Sequence, residues 1–157
     1  MDIIFYLILF SIGIMFGSFY TLAVYRIPKK QDILYTRSYC PNCNHKLSFL
    51  DLIPVFSYIF LRGKCRHCGE KIRARYLVLE LMSGAVFTAV AYFIGLSIYN
   101  LNIVLVIDYI FFALSFTFVA LTVGIFKEYK RIEKPVLIYG IIISILYIIY
   151  LCVVDKI

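Results

Sequence analysis

The segment IIFYLILFSIGIMFGSFYTLAVYRIPKK, residues 3–30, opens with an uncharged apolar run and closes with Arg26, Lys29 and Lys30. The run, residues 3–25, meets the length of about 20 apolar residues that a helix needs to cross a hydrocarbon core about 30 Å thick. A secretory signal peptide carries its positive charge before the apolar run, whereas here Asp2 precedes the run and the basic residues follow it. We therefore predict that this helix stays attached to the chain as a membrane anchor.

Three further segments are long and apolar enough to span a bilayer as helices, which satisfy their own backbone hydrogen bonds in lipid. They are residues 77–98, residues 103–126 with Asp108 inside them, and residues 135–154. The chain of 157 residues is 63% hydrophobic and 16% charged, which excludes soluble, disordered, collagen-like and disulfide-scaffold classes. The sequence predicts an all-α membrane protein with four transmembrane helices.

The sixteen Lys and Arg residues are unevenly distributed between the loops and give a net charge of +7. Eleven lie in residues 26–75 and four in residues 127–134, while Lys156 alone lies beyond the last span. Cytoplasmic loops of membrane proteins collect Lys and Arg, so we predict that both basic loops are cytoplasmic and both termini outside. The same charges would attract anionic lipid, and the sequence has no nucleic-acid-binding motif.

Gly13 and Gly17 form a G-x-x-x-G pair in the first span. Such a pair lets another helix backbone approach closely, so it is a candidate contact with another membrane subunit or a second copy of the chain. Two glycines spaced by chance in an apolar helix are the alternative explanation.

The first basic loop carries two C-x-x-C motifs, Cys40-Pro41-Asn42-Cys43 and Cys65-Arg66-His67-Cys68, separated by twenty-one residues. Two thiolates on each of two tight turns fill the four corners of a tetrahedron, so we predict a structural zinc site with Cys40, Cys43, Cys65 and Cys68 as ligands. Nearby Lys and Arg side chains would offset the charge of a tetrathiolate centre. A reducing cytoplasm disfavours disulfides, but an iron–sulfur cluster or free thiols remain alternatives. We expect His45 and His67 to be exposed polar residues, and Cys152 to pack in the last span.

Between the two motifs, residues 47–61 form an apolar run that is too short to cross a membrane and contains Asp51 and Pro54. This run is expected either to pack under the metal-binding turns or to lie at the membrane interface. The predicted organisation is a transmembrane anchor over residues 1–25, a zinc-ribbon-like cytoplasmic loop over residues 26–75, and a three-helix membrane region over residues 76–157.

Several stretches together resemble the N-terminal region of the bacterial type IV prepilin leader peptidases. They are residues 17–19 (GSF), 25–28 (YRIP), 40–43 (CPNC), 51–54 (DLIP), 61–68 (LRGKCRHC) and 75–81 (RYLVLEL). The resemblance covers roughly residues 10 to 90. It implies a protein of the bacterial cytoplasmic membrane that acts on pilin-like precursors of type IV pili or type II secretion. Members of this aspartic peptidase family cleave the positively charged leader, and many methylate the new N-terminus with S-adenosylmethionine.

The resemblance also implies two catalytic aspartates, one in an Ile-Asp segment near a cytoplasmic helix end and one in a Gly-x-Gly-Asp motif. At the first location this chain has Ile125-Phe126, and the second motif does not occur in the printed sequence. We therefore assign no catalytic residue and regard residues 76–157 as a remnant of the peptidase domain. Three hypotheses follow: an enzyme that cleaves or methylates precursors, a non-catalytic module that binds precursors or another membrane subunit, or one half of a split peptidase.

The remaining acidic residues have simpler expected roles. We expect Glu128 and Glu133 to balance charge in the second basic loop, and Asp108 to mark the outer interface. Glu80 is expected to form an interfacial salt bridge with the nearby Arg73 and Arg75.

Overall fold

The computed structural model describes residues 2–33 and 35–154. Five α-helices follow one another: α1 (Asp2–Arg26), the short α2 (Phe56–Phe60), α3 (Arg75–Phe93), α4 (Ile103–Tyr129) and α5 (Lys134–Val154). Within the described ranges there is no strand, and extended pairing is limited to three isolated bridges. The four long helices are long and apolar enough to cross a membrane, so the predicted all-α fold with four spans is confirmed. Lys156, which was assigned to the outer side, lies outside the described residues.

The second span is shorter than predicted, since α3 ends at Phe93 and not at residue 98. Gly95 adopts a left-handed conformation with φ +75°, and the backbone N–H of Leu96 donates to the carbonyl of Ala91. A left-handed glycine just after the last turn ends a helix, because it lets the following backbone N–H groups bond to the free carbonyls of that turn. Leu96 then folds back against Leu9 of α1 and Ala91 in a small apolar cluster.

Helix α1 packs against α3 and α4, and α5 packs against α4. The Tyr20 hydroxyl of α1 shares a hydrogen bond of 2.8 Å with the Thr117 hydroxyl of α4. The Tyr139 hydroxyl of α5 donates to the Leu114 carbonyl of α4 at 3.0 Å. A buried apolar cluster joins these three helices and contains Tyr20, Ala23, Leu121, Ile125 and Val136.

The Gly13/Gly17 surface faces α3 of the same chain. A Cβ built on Gly13 would lie 2.8 Å from the Gly84 Cα, and one built on Gly17 would lie 2.7 Å from the Glu80 Cα. Both glycines are buried. The Gly13/Gly17 surface therefore does contact a helix, as predicted. That helix is α3 of the same chain, and not another subunit or a second copy.

Both basic loops lie at one end of the helix bundle. Arg131 in the α4–α5 loop donates to the Pro28 carbonyl at 3.0 Å, and Arg75 pairs with Glu128 at 3.0 Å. At the other end, the Tyr6 hydroxyl of α1 donates to the carbonyl of Leu96. The fold thus places both basic loops on a common side, as the charge distribution requires.

Candidate metal centre

The first C-x-x-C motif forms a tight turn closed by backbone hydrogen bonds. The Asn44 N–H donates to the Cys40 carbonyl at 2.9 Å, and the Cys40 N–H donates to the His45 carbonyl at 3.0 Å. A bridge between Tyr39 and Lys46 joins the two arms of the turn. Asn44 has φ +56°, a left-handed conformation that asparagine tolerates better than most residues.

The second motif repeats this geometry with every position shifted by 25 residues. The Gly69 N–H donates to the Cys65 carbonyl at 3.0 Å, and the Cys65 N–H donates to the Glu70 carbonyl at 2.8 Å. A bridge between Lys64 and Lys71 corresponds to the one in the first turn, and Gly69, at φ +70°, occupies the place of Asn44. We call these two turns the first and second knuckle, residues 39–46 and 64–71.

The knuckles bring the predicted ligands Cys40, Cys43, Cys65 and Cys68 together, with their four sulfur atoms within 4.8 Å of one another. The Cys40 and Cys68 Sγ atoms are 3.8 Å apart. Two ligands at a Zn–S distance of about 2.3 Å on a tetrahedral ion would be about 3.8 Å apart, so the spacing fits zinc. Cys40 and Cys65 are buried, whereas Cys43 and Cys68 are exposed. The four sulfurs could therefore hold a metal ion such as zinc.

The pKa values of the two exposed thiols differ. The His45 backbone N–H lowers the pKa of Cys43, but desolvation and the three neighbouring thiols outweigh it and raise this pKa to about 11. The Glu70 backbone N–H and the Asn42 amide lower the pKa of Cys68 to about 7. Because coordination requires thiolates, metal binding at this cluster releases protons and weakens as the pH falls.

The two histidines and Cys152 are not part of the four-sulfur group. The His45 and His67 rings lie against each other, with centroids 3.4 Å apart, and Cys152 is an exposed residue of α5. His45 and His67 are both exposed, as expected for polar residues on turns.

Asp51 connects the apolar run to the second knuckle. Its carboxylate accepts hydrogen bonds from the Ser48 hydroxyl at 2.6 Å and the Ser48 N–H at 3.1 Å, and pairs with the Arg66 Nε at 2.9 Å. The Ser48 hydroxyl and the Arg66 guanidinium hold the pKa of Asp51 below its usual range, although its burial opposes them. Arg66 thus binds Asp51 and lies between Cys65 and Cys68 in the sequence.

Glu80 connects the loop to the helix bundle, in a role different from the predicted one. Its carboxylate accepts the backbone N–H of Val55 at 2.8 Å, while Arg73 and Arg75 pair with Glu128. Val55 has φ +63°, a strained conformation for a β-branched residue, and directly precedes α2. The expected Glu80 salt bridge is wrong, because the carboxylate accepts from the loop backbone and both arginines pair with Glu128.

Arg26 is a structural residue that sequence reasoning missed. It is buried and donates to the carbonyls of Asp32 and Thr36, each at 2.8 Å, and of Arg37 at 3.3 Å. Its guanidinium thus holds the chain that leads from α1 into the first knuckle. In the sequence Arg26 belongs to the YRIP stretch that resembles the family, but this stretch does not indicate that its guanidinium binds loop carbonyls.

The acidic residues of the second basic loop have the predicted structural role. Glu128 pairs with Arg75, and Glu133 pairs with Arg131 at 2.7 Å. Both carboxylates therefore balance neighbouring positive charge.

Part of this chain is similar to a known protein family and to curated proteins. The sequence profile described as the bacterial peptidase A24 N-terminal domain matches residues 11–94. Three curated relatives are each named prepilin leader peptidase/N-methyltransferase. The relative from Vibrio cholerae is 47% identical over 85 residues, which cover 48% of this chain and 34% of the relative. The relative from Myxococcus xanthus is 41% identical over 86 residues, covering 55% of this chain and 26% of the relative. The relative from Bacillus subtilis is 41% identical over 91 residues, covering 58% of this chain and 37% of the relative.

The matched segments thus make up about a third of the length of these relatives, and no solved structure matches the chain. The region of similarity contains α1, both knuckles, α2 and α3.

Proposed function

Because the chain belongs to the family of the bacterial peptidase A24 N-terminal domain, we propose that it is a zinc-stabilised membrane module that binds pilin-like precursors during their processing. The observation that carries the proposal is the cluster of Cys40, Cys43, Cys65 and Cys68, built from two matching knuckles between two membrane helices. The relatives that share this region are named for processing prepilins.

The proposed organisation has three parts: the anchor over residues 1–25, the zinc loop over residues 26–75, and the three-helix membrane region over residues 76–157. Four apolar helices and the relatives indicate a multi-pass protein of the inner membrane. We place both basic loops in the cytoplasm and both termini outside, because the loops carry fifteen of the sixteen Lys and Arg residues.

Zinc would have a structural role in this site. Four protein thiolates fill a tetrahedral shell and leave no position for the water molecule that a hydrolytic zinc ion needs. The metal would instead hold the two knuckles together, while Arg26 and Glu80 attach the loop to α1 and α3.

The proposal assigns no peptidase chemistry to the carboxylates of the chain. Asp51, Glu80, Glu128 and Glu133 each bind a loop group or an arginine. A catalytic pair needs two carboxylates that share a secluded site and perturb each other's pKa. We therefore propose binding of precursors and not their cleavage.

The proposal is tested by co-expressing a pilin-like precursor with this protein in a host that lacks its own leader peptidase. The measurements are the intact mass of the precursor and its recovery with the affinity-purified protein. We expect an unchanged mass, and we expect recovery that is lost in Cys40→Ser and Cys65→Ser but kept in Cys152→Ser.

Two results would overturn this assignment. A mass lower by the leader, or higher by a methyl group, would show peptidase or S-adenosylmethionine-dependent methyltransferase activity. Failure of the precursor to copurify with the metal-loaded protein would show that it is not a binding module.

A further inference from the structure

The loop exposes a dense group of large apolar side chains between the two knuckles. Phe49 is 82% exposed and Phe60 is 80% exposed. The group, called here the apolar patch, consists of Phe49, Leu50, Leu52, Phe56, Ile59 and Phe60. Contiguous exposed apolar surface of this kind marks a site that meets another apolar phase or molecule.

Helix α2 packs one side against the two residues that flank the second knuckle, and its other side is exposed. The ring of Tyr58 packs on Gly63, and its hydroxyl donates to the Ile72 carbonyl at 3.4 Å. Phe56, Ile59 and Phe60 stand at positions i, i+3 and i+4 of α2, which form a single face of a helix. Phe56 and Phe60 line a groove with Leu50 and Arg66, so this apolar face opens beside the second knuckle.

The patch carries no exposed charge. Asp51 is the sole charged residue of residues 47–61, and its side chain is 5% exposed because Ser48 and Arg66 surround the carboxylate. The charge that would most oppose transfer of this segment into an apolar phase is thus already paired.

The hydrogen bond from the Val55 N–H to the Glu80 carboxylate fixes the depth of the start of α2 relative to the bilayer. Helix α3 has 19 residues, a length of about 28 Å at 1.5 Å per residue, which the hydrocarbon core of about 30 Å takes up almost entirely. Glu80 lies five residues after Arg75, about 7 Å along the helix axis from its start. Its carboxylate, in contact with the Val55 N–H, therefore lies close to the boundary between headgroups and acyl chains.

The length of α1 leads to the same depth for the start of α2. Gly17 lies against Glu80 and is nine residues, about 14 Å, from the end of α1 at Arg26. Helix α1 has 25 residues and exceeds the core thickness by about 8 Å, so Gly17 also lies inside the membrane. The start of α2 is thus held beside membrane-embedded parts of two spans.

Basic residues follow the patch where lipid phosphates would lie. Arg62, Lys64 and Arg66 come directly after α2, and all three are exposed. A short apolar face followed by basic side chains is complementary to an interface with acyl chains below and anionic headgroups above.

We propose that residues 49–60 insert into the interface of the bilayer that the four spans cross, with Phe56, Ile59 and Phe60 among the upper acyl chains. The inserted segment anchors the metal-binding loop to the membrane surface. The inference rests on the spans and the loop geometry and is independent of precursor binding.

The chain contains no tryptophan, so a single introduced Trp is a unique fluorescent probe. Phe56→Trp and Phe60→Trp replace exposed aromatic rings of the patch, and Phe19→Trp provides a reference within a span. Tyr35→Trp is the matched control, because Tyr35 is a 90% exposed aromatic residue of the same loop outside the patch. Each variant is reconstituted into phosphatidylcholine–phosphatidylglycerol vesicles containing lipids brominated on upper acyl carbons, and its metal content verifies the loop fold.

We expect blue-shifted emission from Phe56→Trp and Phe60→Trp, with about half of it quenched by the brominated lipid, and little quenching of Tyr35→Trp. Red-shifted, unquenched emission from both patch variants would overturn the proposal by placing the patch in water. Blue-shifted but unquenched emission would overturn it by showing that protein covers the patch. Equal quenching of Tyr35→Trp would overturn it as well, since insertion would not be specific to residues 49–60.

Discussion

The knuckle loop and the α1–α3 pair hold together in different ways. Among the described residues 31–33 and 35–74, only Cys40, Gly63 and Cys65 are buried, so the loop has almost no apolar core. The α1–α3 pair is held by backbone-to-backbone approach at Gly13 and Gly17. Such close approach suits helices in lipid. Lipid tails already solvate the apolar side chains, so helix association depends on close packing and not on the hydrophobic effect. A loop at the membrane surface lacks that option and needs cross-links, which the four thiols would supply through a metal.

The comparison is tested most strongly by removing the metal ligands. We expect Cys40→Ser and Cys65→Ser to lose stoichiometric zinc together, because a structural zinc site contributes about 10–16 kcal/mol and needs all four ligands. The loop should then become protease-sensitive while the helix content measured by circular dichroism is retained. Elemental analysis and limited proteolysis measure the two effects.

Cys152→Ser provides the control for the ligand variants, since Cys152 lies in α5 outside the sulfur cluster. It should keep full metal and a resistant loop. Full metal in both ligand variants would contradict the tetrathiolate site, and loss of helix content on chelation would contradict the independence of the two regions.

The second test fills the close contact in the membrane. Gly13→Val should destabilise the bundle by about 1–3 kcal/mol, because the new side chain meets Gly84 and Ser83 backbone atoms that cannot move aside. Ser11→Val places the same side chain two residues away on an exposed face of α1. Thermal unfolding in detergent should separate the two variants, and equal unfolding temperatures would show that α3 does not pack on Gly13.

The third test compares two glutamates where loop and bundle meet. Glu80→Ala leaves the Val55 N–H without its acceptor and should cost about 1–3 kcal/mol. Glu128→Ala removes only ion pairs with exposed arginines and should cost less than about 1 kcal/mol. Hydrogen exchange at α2 should rise in Glu80→Ala alone, and an equal rise in both variants would refute the anchoring role of Glu80.

The fourth test concerns the pH dependence of the Asp51 ion pair. Its folded pKa is lowered, so its contribution to loop stability is present above the unfolded value of about 3.9 and is lost as the pH falls through the folded value. Asp51→Asn should weaken the loop by about 1 kcal/mol at neutral pH, because it loses the ion pair with Arg66. In hydrogen-exchange measurements the difference from the native chain should stay constant between about pH 7 and 5. A difference that already closes in that interval would mean that the pKa of Asp51 is not lowered.

Local patterns were the predictable part of this protein. Each apolar run is continuous along the chain and long enough for a bilayer, so the four spans follow from length and composition. The cluster of four cysteines follows in the same way, since the two residues inside each C-x-x-C motif allow one turn to present both thiols. Even so, residue spacing did not reveal that Asn44 and Gly69 share a left-handed conformation in two matching knuckles.

Contacts between distant residues were decided by the tertiary structure alone. Glu80 accepts from Val55 across 25 residues, and Arg131 donates to Pro28 across 103 residues. The sequence determined which segments enter the membrane and which side chains can bind metal, because both are properties of short stretches. Only the packing of the helices decided that α3 covers the Gly13/Gly17 face and that Glu80 of α3 holds the start of α2. Those positions depend on which backbones approach one another, and a linear pattern does not record that.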